Sequence, residues 1–176
     1  MRWILGSLLF VSIFLMISAT ALAFPKDENG YKEFYFGEDV NDILSKYEVI
    51  SVKNNDDGSV VYTIEYEDNS LEQYDILAVP DIQLEFKDGK LCSINRFFIG
   101  ASLKHAALSF LELAGGIENN FGKVNAIEKS EEDKTVYYIW QGEHCNIILV
   151  VGLNPLDIPE PDVELYRIFF TIWPVE

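Results

Sequence analysis

His105, Ser109 and Glu112 stand at i, i+4 and i+7, a spacing that puts imidazole, hydroxyl and carboxylate on one helix face. Those are the groups of a nucleophile, a base and its orienter. The chemistry also needs an oxyanion hole and a shaped pocket, and a helix face with Lys104 beside it supplies neither. A solvated face is therefore expected. His144 and Cys145 adjoin, as a thiol–imidazole pair would. Neighbours on a strand point to opposite faces, so they do not form a dyad with each other. Glu65 and Glu67 project from one strand face roughly 6.6–7 Å apart, which overlaps the spacing of inverting glycosidase carboxylates. Catalytic carboxyls need unlike environments to separate their pKa values. These two share a polar face beside Asp68. No catalytic residue is assigned, and no enzyme activity is expected.

Metal and cofactor signals are equally thin. The two His and two Cys have no C-x2-C or H-x3-H spacing. Asp56-Asp57-Gly58 and Glu131-Glu132-Asp133 read as hairpin acids outside the calcium-loop pattern, leaving only weak surface calcium as a metal reading. The chain has no G-x-G-x-x-G, Walker loop or G-x-S-x-G. No cofactor and no metal site are expected.

Charge narrows the partners. The chain carries 29 acidic and 13 basic residues among 176, a net charge of −16. Such a surface repels phosphate backbones and anionic membranes, so nucleic acid is not expected. A basic protein or peptide suits it, and solubility alone is the simpler explanation. Aromatics at 14% rule against disorder.

Residues 1–23 read as a signal peptide. Arg2 precedes an apolar run from Trp3 to Ile17, and Ala21-Leu22-Ala23 is the expected cleavage site. The 21 residues from Trp3 to Ala23 also suffice for a retained anchor. The small residues favour cleavage, giving an exported periplasmic or extracellular protein without a stable membrane anchor. The remaining 153 residues make one domain with a net charge of −17. In an exported chain, Cys92 and Cys145 suggest one disulfide, with two buried free thiols as the alternative.

The elements that must position these residues follow from periodicity. Residues 24–32 are polar and expected as a flexible N-terminal arm ahead of a single α+β domain over 33–176. Val40, Ile43, Leu44 and Tyr47 share a helical face. Strands are expected over 48–53, 59–67, 82–86 and 91–99, with Asp57-Gly58 and Asp88-Gly89 as turns. A long helical stripe runs from Leu103 to Phe121, capped by Ser102 and broken or kinked at Gly115-Gly116. Strands follow near 124–129, 135–141, 145–151 and 163–173. Two helix–meander pseudo-repeats are thus expected, about 37–99 and 102–173, with the helices on one face of a largely antiparallel sheet. The positional matches are Tyr47 with Phe121, Tyr62 and Ile64 with Tyr138 and Trp140, Phe86 with Leu149 or Val150, and Ile94 with Ile168.

Four segments carry a resemblance: Phe36-Gly37-Glu38-Asp39-Val40, Lys87-Asp88-Gly89-Lys90-Leu91, Asn120-Phe121-Gly122-Lys123-Val124 and Tyr138-x-Trp140. In this layout the chain resembles small exported bacterial proteins with a helix-plus-antiparallel-sheet unit. Among them are the beta-lactamase inhibitor proteins and the small lipoproteins of outer-membrane assembly. The acylated Cys of the lipoproteins is missing, and no inhibitory residue transfers by motif. The resemblance implies a binding scaffold without chemistry of its own. Tyr62, Tyr66, Tyr138 and Trp140 are expected chiefly as core, and as an interaction surface should one sheet face be bare. Inhibition of a secreted enzyme through an acidic loop such as Pro155–Pro161, and a hydrolase with an unrecognised acidic site, are the alternative functions.

Overall fold

The computed structural model describes residues 25–67, 77–156 and 165–175, with side chains from 81 onward in the second stretch. Residues 1–24, 68–76, 157–164 and 176 lie outside it. No helix among the described residues is long and apolar enough to cross a membrane.

The fold is α+β, built on one antiparallel sheet. A small hairpin pairs β1 (Gly30–Tyr31) with β2 (Phe34–Tyr35). Helix α1 (Val40–Leu44) leads into β3 (Val49–Asn54), β4 (Val60–Glu65), β5 (Leu77–Lys87) and β6 (Lys90–Gly100). Helix α2 (Leu103–Phe121) then crosses the sheet to β7 (Ala126–Ser130), β8 (Thr135–Gln141), β9 (Cys145–Gly152) and β10 (Tyr166–Pro174). The eight strands lie in the order β3-β4-β5-β6-β10-β9-β8-β7, every neighbour antiparallel.

Local chemistry explains the turns and caps. Asp88 and Gly89 both have positive φ, 52° and 76°, the mirror-image turn that Asp-Gly favours and that suits strand twist. Asp39 caps α1 through Asn41 N–H at 3.0 Å, and Ser102 caps α2 through His105 N–H at 3.1 Å.

One sheet face builds the core. Ile82, Leu84, Ile94, Phe98, Ile147, Leu149, Ile168, Phe170 and Ile172 alternate inward and are fully buried. They share a cluster with Ile43 of α1 and with Ala106, Phe110, Leu113 and Ile117 of α2. Gly100 lets α2 approach β6: a Cβ there would meet Ala106 Cα at 2.6 Å.

Four expectations need correction. The polar N-terminal segment is docked rather than free. Tyr31 is 2% exposed and packs edge-on against Phe170 at 5.5 Å. The Asp27 carboxylate accepts the N–H groups of Glu143, His144 and Cys145 at 2.7, 2.8 and 3.1 Å. Helix α2 also runs unbroken through Gly115-Gly116, because its apolar stripe is anchored on the core at both ends.

The expected disulfide is absent, since Cys92 and Cys145 are both free thiols. Strand β10 lies between the strands that carry them. Two strand spacings amount to about 9.6 Å, beyond the roughly 7 Å that a bridge spans.

The matched positions, finally, do not all coincide. Following the ladders outward from Arg96 and Phe170, Ile82 corresponds to Leu149 and Ile64 to Tyr138, so Tyr62, Ile64 and Phe86 all fall out of step with their expected partners. With 5 residues, α1 is also far shorter than the 19-residue α2.

Candidate functional site

The face of the sheet opposite the helices carries the candidate site. Strand alternation places Phe97 and Ile99 of β6, Phe169 and Trp173 of β10, Ile148 and Val150 of β9, and Tyr137 and Ile139 of β8 on that side. Phe97 and Phe169 are direct ladder partners with ring centroids 5.7 Å apart. Both rings are only partly buried. Asn95 and Thr171, the next pair on this face, join side chains: the Thr171 hydroxyl donates to Asn95 Oδ1 at 2.5 Å.

Two clefts flank the aromatic pair. One, of about 520 Å³, lies among Thr63, Asp81, Gln83, Phe97, Ile99, Leu156 and Arg167. The other, of about 630 Å³, lies among Asp57, Ser59, Glu85, Lys87, Cys92, Trp173 and neighbours. In the second, Ser59 is 1% exposed and organises the acids. Its hydroxyl donates to Asp57 Oδ1 at 2.8 Å, while Asn55 Nδ2 donates to Glu85 Oε1 at 3.1 Å. The Ser59 hydroxyl and N–H, with Lys87 further off, outweigh burial and hold the Asp57 carboxyl below its usual value. Burial, reinforced by Glu85, pushes the Cys92 thiol up, so it is a poor nucleophile. The face thus combines an apolar, aromatic centre with a charged margin in which Asp57, Asp81 and Glu85 outnumber Lys87 and Arg167.

The residues singled out by sequence lie elsewhere. Trp140 is fully buried, and its indole N–H donates to Gly122 O at 3.0 Å. Tyr138 stacks edge-on against Phe110 at 4.8 Å, Tyr62 against Phe86 at 5.6 Å, and Tyr66 against Phe34 at 5.3 Å. All four therefore line the helix-covered side, and the open face is made of other aromatics. Tyr66 and Tyr47 also donate to the two oxygens of Glu33, at 2.8 and 3.1 Å, and burial with the Glu33 charge pushes the Tyr47 hydroxyl up to about 12.

No catalytic set forms among the described residues. On α2, Ser109 is buried at 2% exposure while Glu112 faces solvent, so the expected solvated face straddles the core boundary. His144, in the bend before β9, is exposed, and Cys145, the first residue of β9, is buried. Burial pushes the Cys145 thiol up to about 11. Glu65 and Glu67 are both exposed. Among the described residues no group of three or more His, Cys, Asp or Glu is placed to hold a metal ion. Most of the loop Pro155–Pro161 lies outside the described residues.

The open face had a signal in the sequence. Phe97-Phe98-Ile99 and Ile168-Phe169-Phe170 are unbroken apolar runs in strands. A strand with one solvated face alternates, so these runs mark positions where both faces are apolar.

No protein-family model matches this chain, and no curated protein matches it. Among solved structures, a DUF4309 family protein (YjgB) from Bacillus subtilis subsp. subtilis str. 168 aligns over 86% of this chain and 89% of its own, at 12% identity and a TM-score of 0.42. A likeness that distant carries no argument about function.

Proposed function

We propose that this protein is an exported, non-catalytic binding module whose sheet face opposite the described helices docks a basic protein partner. The observation that carries the reading is the Phe97–Phe169 pair, left partly exposed at the centre of an apolar sheet face. Aromatic side chains are enriched at the cores of interfaces. The carboxylates of Asp57, Asp81 and Glu85 beside it, within a chain of net charge −16, favour a cationic partner. Export rests on the leader alone. The test is affinity capture from the extracytoplasmic fraction, comparing the wild type with a Phe97→Ser/Phe169→Ser variant. A basic protein retained by the first and lost by the second supports the reading, and equal retention sinks it.

A duplicated origin is the finer reading of the fold. It draws support from the central ladder, where shifting by 74 residues exchanges the pair Ile94–Ile172 with Phe98–Ile168 and leaves Arg96–Phe170 on the axis. A profile of relatives should then align the halves with Ile94 on Ile168, and alignment at another offset would contradict it.

A further inference from the structure

We infer that the outer edge of β3 is a second docking site, which takes an extended basic-ended segment of a partner as an added strand. Strand β3 ends the sheet order, and among the described residues no strand lies beyond it. All six of its residues are exposed, and three are apolar: Val49 at 38%, Ile50 at 52% and Val52 at 53%.

The backbone of this edge is poised for pairing. Asn55 N–H donates to Ser59 O at 2.9 Å, which makes that position a hydrogen-bonded pair. Antiparallel ladders alternate, so Lys53–Val61 and Ser51–Thr63 are bonded inward. Val52 and Asn54 then point their N–H and C=O groups away from β4, into solvent. The bulge between Val49 and Ser51 affects only the start of the strand and leaves Ser51–Asn54 regular.

Exposed edges are normally blunted by charge. Strand β7, at the other end of the sheet, is blunted by Glu128 and Lys129. In β3 the only charge is Lys53. The charges instead stand at its two ends: Glu48 beside Glu65 at one, Asp56 at the other. That arrangement specifies the occupant. Main-chain hydrogen bonds supply affinity, alternate apolar side chains lie along Val49 and Val52, and a lysine or arginine at each end meets the carboxylates. This site is independent of the open sheet face and stands or falls apart from it.

The test uses a fluorescent peptide of alternating valine and threonine with lysine at both ends, titrated into the mature chain. Binding is expected tighter than about 1 mM, and at least tenfold weaker for the same peptide ended in glutamate. Saturating peptide should slow hydrogen exchange at the Val52 and Asn54 amides. Val52→Pro removes an outward donor without an inward bond, a substitution edge strands tolerate, and should weaken binding tenfold or more. Undiminished binding by a folded Val52→Pro chain, equal binding of both peptides, or protection that spares Val52 and Asn54 would each overturn the inference. The exchange measurement needs no variant, so it decides the matter even if Val52→Pro misfolds.

Discussion

Phe97 and Phe169 face each other across the central pair of strands, β6 and β10, with ring centroids 5.7 Å apart on the side opposite the described helices. The neighbouring ladder pairs, Phe98 with Ile168 and Arg96 with Phe170, are buried on the other side. Two consecutive apolar positions in each strand therefore serve two surfaces: one closes the core, the other stays available.

The docking of the N-terminal segment rests on Asp27. Three backbone N–H groups converge on its carboxylate. Asp27→Ala leaves them without that acceptor and should cost about 2 kcal/mol, or roughly 4–8 °C in Tm at this chain length. Burial raises the Asp27 carboxyl, but the three donors and His144 together lower it further. Its support is therefore present above the ordinary carboxylate range near pH 4 and lost as pH falls through the depressed folded value. Melting between pH 2 and 5 should show a shallower fall for Asp27→Asn than for the wild type. Parallel curves would remove Asp27 from the account.

The two cysteines should behave as separate thiols. Reducing agent is expected to leave Tm unchanged, and mass analysis after alkylation without reduction should find both residues labelled in the unfolded chain. Cys145, buried and with its thiol raised to about 11, should label far more slowly than Cys92 in the folded state at pH 8. A raised thiol stabilises the fold below its ordinary value near 9, and that contribution is lost as pH rises toward 11. Cys145→Ala should flatten the alkaline part of the stability curve. A Cys92–Cys145 peptide would contradict the fold.

Gly100 tests the seat of α2. A methyl group there meets backbone atoms of Ala106 at 2.6–2.7 Å, and backbone cannot swing aside. Gly100→Ala should cost about 2–3 kcal/mol, whereas Gly115→Ala, with open space around its Cβ, should gain up to about 1 kcal/mol from helix propensity. Thermal melts of the two variants should move in opposite directions.

Much of the fold was legible because it is written in short-range pattern. Alternation gave the strands flanking Asp88-Gly89 within a few residues, and the 3.6-residue stripe gave α2 its full span. Pattern failed where distant contacts decide. The Gly115-Gly116 pair reads as a break, but docking of Ala106, Phe110, Leu113 and Ile117 on the sheet holds the helix through it. The polar segment before Lys32 reads as an arm because its partners, Glu143 to Cys145, are more than 100 residues away. The aromatics of the open face were harder still. Tyr62, Tyr138 and Trp140 alternate cleanly and so draw attention, yet clean alternation is what a core-facing row produces. Phe97 and Phe169 hide inside apolar runs, where one sequence cannot say which neighbour faces the helices.

The proposed docking on the open sheet face is tested most directly by hydrogen exchange on residues 24–176, with and without a basic protein that affinity capture from the extracytoplasmic fraction is expected to yield. Protection is expected on β6, β9 and β10, and retention should be lost in Phe97→Ser/Phe169→Ser but kept in Leu108→Ser/Leu111→Ser, which alters exposed residues of α2. Retention that survives the first variant and fails in the second, with protection confined to α2, would contradict the account.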